Sequence, residues 1–317
     1  MTQQDFGLRA TASWNRTGRF WLAWPPTTGH RPHDLTARDD SVALAQLLAA
    51  HAPVTAAAAS ADVVPCSQHM PAGVRTLAAA AGAALLSPQP IWLSDGNGAL
   101  HAGVGADCAH GAELARAAGV DRVDLPAGWR ADLLETDGEG TALVSNRLAE
   151  GLAGAGPDSE RQLAADLLMW RVTKERLLRS RLGILRVIWL SHPGQGRLPA
   201  RYLAPAVVAV PTGAHGHPAQ AALQANRDRL RAGPDRRGRT FKVVELPCPS
   251  HPEACYSDCM VAGDLVVVPQ LDKGSDLLAF DRIVAAVPTA RVVAFPAAHL
   301  AWPAGRLNRA VLAQPKP

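Results

Sequence analysis

No apolar run in this chain approaches the roughly 18 residues that a membrane-spanning helix needs, and Met1-Thr2-Gln3-Gln4-Asp5 lacks the basic and apolar regions of a secretory signal. Both absences predict a cytoplasmic protein with no membrane partner. Linkers are missing as well: no Pro/Gly/Ser-rich stretch and no long run of like charge divides the 317 residues, so 1–317 reads as a single domain. The net charge of +4 is small for this length. The arginines are scattered without interleaved aromatics, which argues against a nucleic-acid partner. The five cysteines, Cys66, Cys108, Cys248, Cys255 and Cys259, are an odd set that cannot complete internal disulfides, and reduced thiols suit the cytoplasm.

What is present is ample material for a core, with 48% hydrophobic against 19% charged residues. Short apolar runs alternate with amphipathic segments. Leu163, Leu167, Trp170 and Leu177 recur at helical spacing between Asp158 and Arg181, and Gly183 offers a stop. Further helices are predicted over 41–51, 72–81, 219–231 and 275–287. Strands are predicted over 54–59, 91–95, 186–190, 202–210, 242–246, 256–261, 265–268 and 291–295. The turn Asp137-Gly138-Glu139-Gly140-Thr141 is acidic enough to suggest a cation loop, but its two glycines between apolar strands read better as hairpin geometry. Pattern alone gives the α/β class.

Several short motifs point further. Trp21-Leu22-Ala23-Trp24-Pro25 resembles a WxAWP strand, Trp92-Leu93-Ser94-Asp95 a WxRD strand, and Asp137 to Thr141 a DGEGT turn. Cys255-Tyr256-Ser257-Asp258 is similar to a SYxN strand, and Leu265 through Asp272 to a VIVPxxxD segment. In this order and spacing they resemble the agmatine deiminase and bacterial peptidylarginine deiminase family. The resemblance covers almost the whole chain and implies a five-bladed α/β propeller, a pentein, with its active site in a central channel. No self-similarity between blades is evident in the sequence. The resemblance also suggests a homo-oligomer, or pairing with an active paralogue, and no cofactor.

Deimination needs a cysteine thiolate to attack the guanidinium carbon, a histidine to move protons, and carboxylates to hold the planar cation. In the family the nucleophile lies in a GNxHCxTQQ-like segment. Aligned without gaps to Gly305-Arg306-Leu307-Asn308-Arg309, that segment puts Asn308 at the histidine and Arg309 at the cysteine. Arginine stays protonated and cannot serve as the nucleophile. The family's TDGHVD segment corresponds to Leu198-Pro199-Ala200-Arg201-Tyr202-Leu203, so its histidine becomes Arg201 and its carboxylate Leu203. Its EGG segment corresponds to Arg130-Ala131-Asp132, so its glutamate becomes Arg130. Of the polar set, Asp95 remains as the family's catalytic carboxylate.

Two readings follow from these losses: drift to an empty, collapsed site, or a channel in which Arg130, Arg201 and Arg309 now favour a carboxylate or phosphate over a cation. The arginine set needs a counterion, from Asp95, Asp258 or a bound anion. A third reading looks to other cysteines. Cys248, His251, Cys255 and Cys259 make a compact C-x2-H-x3-C-x3-C string, but it is not a standard zinc spacing, and residues four apart in an unbent strand stand too far apart for one ion. No metal is assigned. Trp21 and Trp24 resemble residues at the channel mouth and read at least as well as core packing. Asp258 either faces the channel or bonds to backbone. The scattered histidines have no evident cysteine partner. The sequence therefore predicts a pseudoenzyme that binds a small-molecule guanidine or anion through Trp24, Asp95, Arg130, Arg201, Asp258, Asn308 and Arg309. The alternative is an active C–N hydrolase that uses a non-standard nucleophile, best placed at Cys259.

Overall fold

The computed structural model describes residues 7–26, 32–80, 89–106, 108, 110–126, 129, 131–146, 160–191, 198–213, 219–250, 254–297, 299–300 and 307–317, with backbone alone at 32–34, 160–167 and 308–309.

The strand Leu265–Gln270 is apolar and buried along nearly its whole length, as a strand flanked on both sides must be. Met260–Ala262 pairs with it antiparallel through a short hairpin. Arg291–Pro296 pairs with it in parallel, reached through the helix Asp276–Ala286. This hairpin, helix and parallel strand recur. Arg201–Ala204 and Val207–Pro211 form the hairpin of the next unit, and the helix Gln220–Ala232 leads to Lys242–Leu246. Leu134–Thr136 and Thr141–Ser145 are followed by the helix Glu160–Leu182 and the strand Arg186–Leu190. Ile91–Ser94 and Leu100–Gly105 are followed by the helix Gly111–Ala118 and the strand Asp121–Leu125, with Arg9–Ala10 added at the edge.

The remaining unit is built from both ends of the chain. Val311–Pro315 lies antiparallel to Thr17–Ala23, which runs parallel to Val54–Ala59 and, beyond it, Arg75–Ala79. A buried hydrogen bond from Trp21 Nε1 to Gln314 Oε1 at 2.9 Å ties the two ends. Five small sheets of one design make the five-bladed α/β propeller. The apolar clusters lie between successive blades: Leu203 and Ala209 of one pack with Val261, Val266 and Ile283 of the next. Among the described residues no helix is long and apolar enough to cross a membrane.

The sequence hid a repeat that the backbone displays. Asp95, Asp137 and Asp235 each open the same five-residue turn. In each, the aspartate Oδ1 accepts the N–H groups two and four residues on, at 2.8 to 2.9 Å. Its own N–H donates to the carbonyl four residues on, at 2.9 to 3.1 Å. The fourth residue is Gly98, Gly140 or Gly238, with φ of 84°, 102° and 82°, a left-handed backbone that a side chain would strain. The hairpin reading of Asp137 to Thr141 holds.

Three predicted elements differ. The segment 72–81 is not a helix: Arg75–Ala79 is a strand, because pairing beside Val54–Ala59 overrides the helical preference of its alanines. The predicted strand 202–210 is a hairpin that turns at Pro205-Ala206, with Ala206 at φ 56°. The predicted strand 256–261 begins with a tight 3-10 turn, Tyr256–Asp258, and the strand starts only at Met260.

Candidate functional site

Arg201 opens the strand Arg201–Ala204, where Tyr202 and Leu203 are buried apolar positions. A guanidinium in such a place needs a counterion. Glu135, from the strand before the Asp137 turn, supplies it: Arg201 Nη1 donates to Glu135 Oε1 at 2.5 Å, with side chains 14% and 15% exposed. Burial raises the Glu135 carboxyl above its usual range, opposed by the Arg201 charge and the Tyr202 backbone N–H. Desolvation therefore outweighs pairing at the carboxylate, the balance that makes a buried ion pair a weak source of net stability. The position where the resemblance expects a proton-shuttling histidine holds one half of a closed ion pair.

Cys259 lies in the same neighbourhood. Burial pushes its thiol up to about 12; Arg201 opposes that, while Glu135, Asp258 and Cys255 add to it. A thiol held so far above neutrality supplies almost no thiolate, so the geometry does not favour Cys259 as nucleophile. Cys66, also fully buried, is pushed to about 11 by burial. Iodoacetamide at pH 8 is expected to leave both unmodified in the native protein and to label both after denaturation. Peptide mapping reads this, and rapid native labelling of Cys259 would contradict it.

Cys255 is occupied locally, its Sγ 2.9 Å from Ser257 Oγ. The tight turn bends the chain between Cys255 and Cys259, yet the described cysteines of the string do not converge as a metal site requires. His251 lies outside the described residues.

Asp95 is a turn residue. Its Oδ1 is committed to the N–H groups of Asn97 and Ala99, and its Oδ2 stands 3.6 Å from His101 Nε2. The Ala99 N–H above all, then that of Asn97 and the His101 contacts, holds its carboxyl below the usual range against some desolvation. Asp258 is buried at the end of the Tyr256–Asp258 turn, beside Cys259, so the structure brings Arg201 and Asp258 into one neighbourhood around that thiol. Trp24 is 1% exposed in the core of the first blade, beside His69 at 6.1 Å between ring centroids. This is packing and offers a ligand no surface, as the core alternative for the Trp-x-x-Trp pair expects. Arg130 lies outside the described residues. Asn308 and Arg309 fall in the helix Leu307–Ala310, and their side chains lie outside what is described.

Glu135 is the site residue that sequence reasoning missed. Its signal was an acid inside the run Leu133-Leu134-Glu135-Thr136, a setting in which a carboxylate stays only if paired. A second polar cluster was also hidden. The carboxylates of Asp137, Glu139 and Asp235 lie within 4.8 Å of one another. Arg239 fills the cation's place, with Nε on Asp235 Oδ2 at 2.5 Å and Nη2 on Glu139. This latch joins the Asp137 and Asp235 turns. A cleft of about 460 Å³ opens beside it, between Arg9, Glu139, Gly183 and Arg236, and holds none of the predicted site residues.

The family described as Porphyromonas-type peptidyl-arginine deiminase matches residues 9–315. Among solved structures, the chain is similar to the agmatine deiminase of Enterococcus faecalis, with 17% identity over 99% of this chain and 97% of that one and a TM-score of 0.80. It is similar to the agmatine deiminase of C. jejuni, with 16% identity over 98% and 96% and a TM-score of 0.76. A DDAH from Pseudomonas aeruginosa matches more remotely, at 12% identity over 94% and 100% with a TM-score of 0.50. At such identities the likeness is one of fold. No curated protein matches the chain.

Proposed function

Because the chain belongs to the Porphyromonas-type peptidyl-arginine deiminase family, we propose that it is a deiminase-like protein that binds a ligand or partner without turning it over. The observation that carries this reading is the Arg201–Glu135 pair. Proton transfer at neutral pH needs a group that titrates near neutrality, and the Arg201 guanidinium, which stands where the family's histidine is expected, stays protonated. Two further points support it: Arg309 stands where the ungapped alignment expects the nucleophile, and the nearby Cys259 thiol is suppressed by burial.

The pair also revises the arginine-lined channel. Arg201 spends its charge on Glu135, so any preference for an anion rests on Arg130 and Arg309. Asp95 keeps one carboxylate oxygen clear of its turn and is the residue best suited to a guanidine.

A ligand that binds only the folded state raises the melting temperature. Agmatine and arginine are therefore screened by thermal shift against the parent chain and the variant Asp95→Asn, which keeps an acceptor for the turn. A guanidine held by Asp95 stabilises the parent and loses that effect in the variant. Stabilisation that is identical in both places the ligand elsewhere and overturns the assignment of the site.

A further inference from the structure

Between the strand Arg186–Leu190 and the helices Glu160–Leu182 and Gln220–Ala232, three arginines face one cavity of about 260 Å³. Arg171 comes from the helix Glu160–Leu182, Arg186 from the strand Arg186–Leu190, and Arg229 from the helix Gln220–Ala232. No carboxylate lines the cavity among the described residues. The partners of Arg171 and Arg229 are neutral. Arg171 Nη2 donates to Asn146 Oδ1 at 3.0 Å, and its guanidinium stands 5.6 Å from the Trp189 ring. Arg229 Nη1 donates to Ser191 Oγ at 2.8 Å and to Asn226 Oδ1 at 3.3 Å. Arg186 has no hydrogen-bond or ion-pair partner among the described residues, and its Nε is buried, as is an unpartnered Nε of Arg171. Glu175, one helical turn beyond Arg171, accepts the Trp189 indole N–H at 2.7 Å and makes no ion pair with Arg171.

Gly233 leaves room for Arg186 where it stands. Its φ of −129° and ψ of 138° suit any residue, so the backbone does not demand glycine. A Cβ there would lie 2.9 Å from Arg186 Nη2, so a side chain at this position would displace the guanidinium from where it stands. The C-terminal end of the helix Gln220–Ala232 carries about half a negative charge, too little for three cations.

Converging guanidiniums repel unless an anion neutralises them, and their paired N–H donors match phosphate oxygens. We propose that this cavity is a binding site for a small phosphate dianion, held by Arg171, Arg186 and Arg229. The site is distinct from the Arg201–Glu135 region and stands whether or not that region is catalytic.

The test is calorimetric titration of the full chain with inorganic phosphate at constant ionic strength. One saturable site is expected. Arg186→Met weakens it at least about tenfold, the worth of one charge-assisted hydrogen bond, and Gly233→Val does the same with every arginine retained. In phosphate-free buffer Arg186→Met melts no lower than the parent, and it loses the stabilisation that phosphate gives the parent. The proposal is overturned if no saturable binding appears below about 50 mM, or if neither variant changes the affinity. It is also overturned if Arg186→Met lowers the melting temperature equally with and without phosphate, the mark of a guanidinium that only caps the helix end. Should Arg186→Met fail to fold, Gly233→Val decides alone. A phosphate monoester that displaces phosphate names a phosphorylated small molecule as the occupant; one that does not leaves inorganic phosphate. Either result supports the site.

Discussion

Replacing Glu135 with glutamine is expected to destabilise the fold by about 3–5 kcal/mol, because it leaves the Arg201 guanidinium buried without its counterion. Removing both charges together should behave otherwise. In Glu135→Leu/Arg201→Met two apolar side chains of similar length fill the gap, and the desolvation that raises the Glu135 carboxyl disappears with it. The double variant is expected to match or exceed the parent in stability. The sign with pH follows from the raised carboxyl. Between the unfolded value of about 4.3 and the higher folded value, rising pH removes stability from the parent as Glu135 ionises, a loss that the double variant lacks. Urea unfolding at several pH values reads all three effects. A neutral Glu135→Gln would mean that Arg201 has a second counterion within reach, with Asp258, which shares the Cys259 neighbourhood, a candidate.

Asp235→Ala should be nearly as damaging, at about 3–5 kcal/mol. Its side chain is 1% exposed and accepts the N–H groups of Arg237 and Arg239 as well as Arg239 Nε. Truncation unmakes the turn and frees Arg239 from the latch on Glu139. Asp235→Asn keeps an acceptor for the backbone and should lose less. Burial alone would raise the Asp235 carboxyl, but the backbone N–H and guanidinium of Arg239 outweigh it and hold the carboxyl below the usual range. Its stabilisation is therefore fully present above the unfolded value of about 3.9 and is lost as pH falls through the lower folded value. Melting temperatures from pH 6 down to 3 should fall less steeply in Asp235→Asn than in the parent. Parallel curves would assign the acid sensitivity to Asp95 and Asp272, which hydrogen bonds also hold low.

Much of the fold could be read before any coordinates. The strands at 54–59, 186–190 and 242–246 fall where predicted, since each is a short β-branched or small apolar run bounded by breakers. Arg75–Ala79 could not be read, because five residues of ordinary composition become a strand only when a parallel neighbour offers its edge. The three aspartate turns escaped notice because their likeness lies in backbone N–H groups converging on one oxygen, while the residues between vary from Gly-Asn to Arg-Arg. Motif order singled out Arg201, Asp258 and Asp95 but neither their partners nor their settings: Asp258 falls in a 3-10 turn and Asp95 just beyond its strand, where strands were predicted. That Glu135 closes on Arg201, and that Asp95 serves its own turn, depends on how neighbouring strands are set against each other, which spacing along one chain does not encode.

Release of ammonia from agmatine, arginine and a peptidyl-arginine substrate by the purified chain, followed over hours at neutral pH, tests the central claim most directly. Deiminase chemistry lifts a reaction by a factor of at least about a million over its uncatalysed rate, so the two possibilities are well separated. The closed Arg201–Glu135 pair and the suppressed Cys259 thiol predict a rate no different from that of the substrate alone. Sustained turnover that disappears in Cys259→Ala would contradict the account and make the chain a working hydrolase.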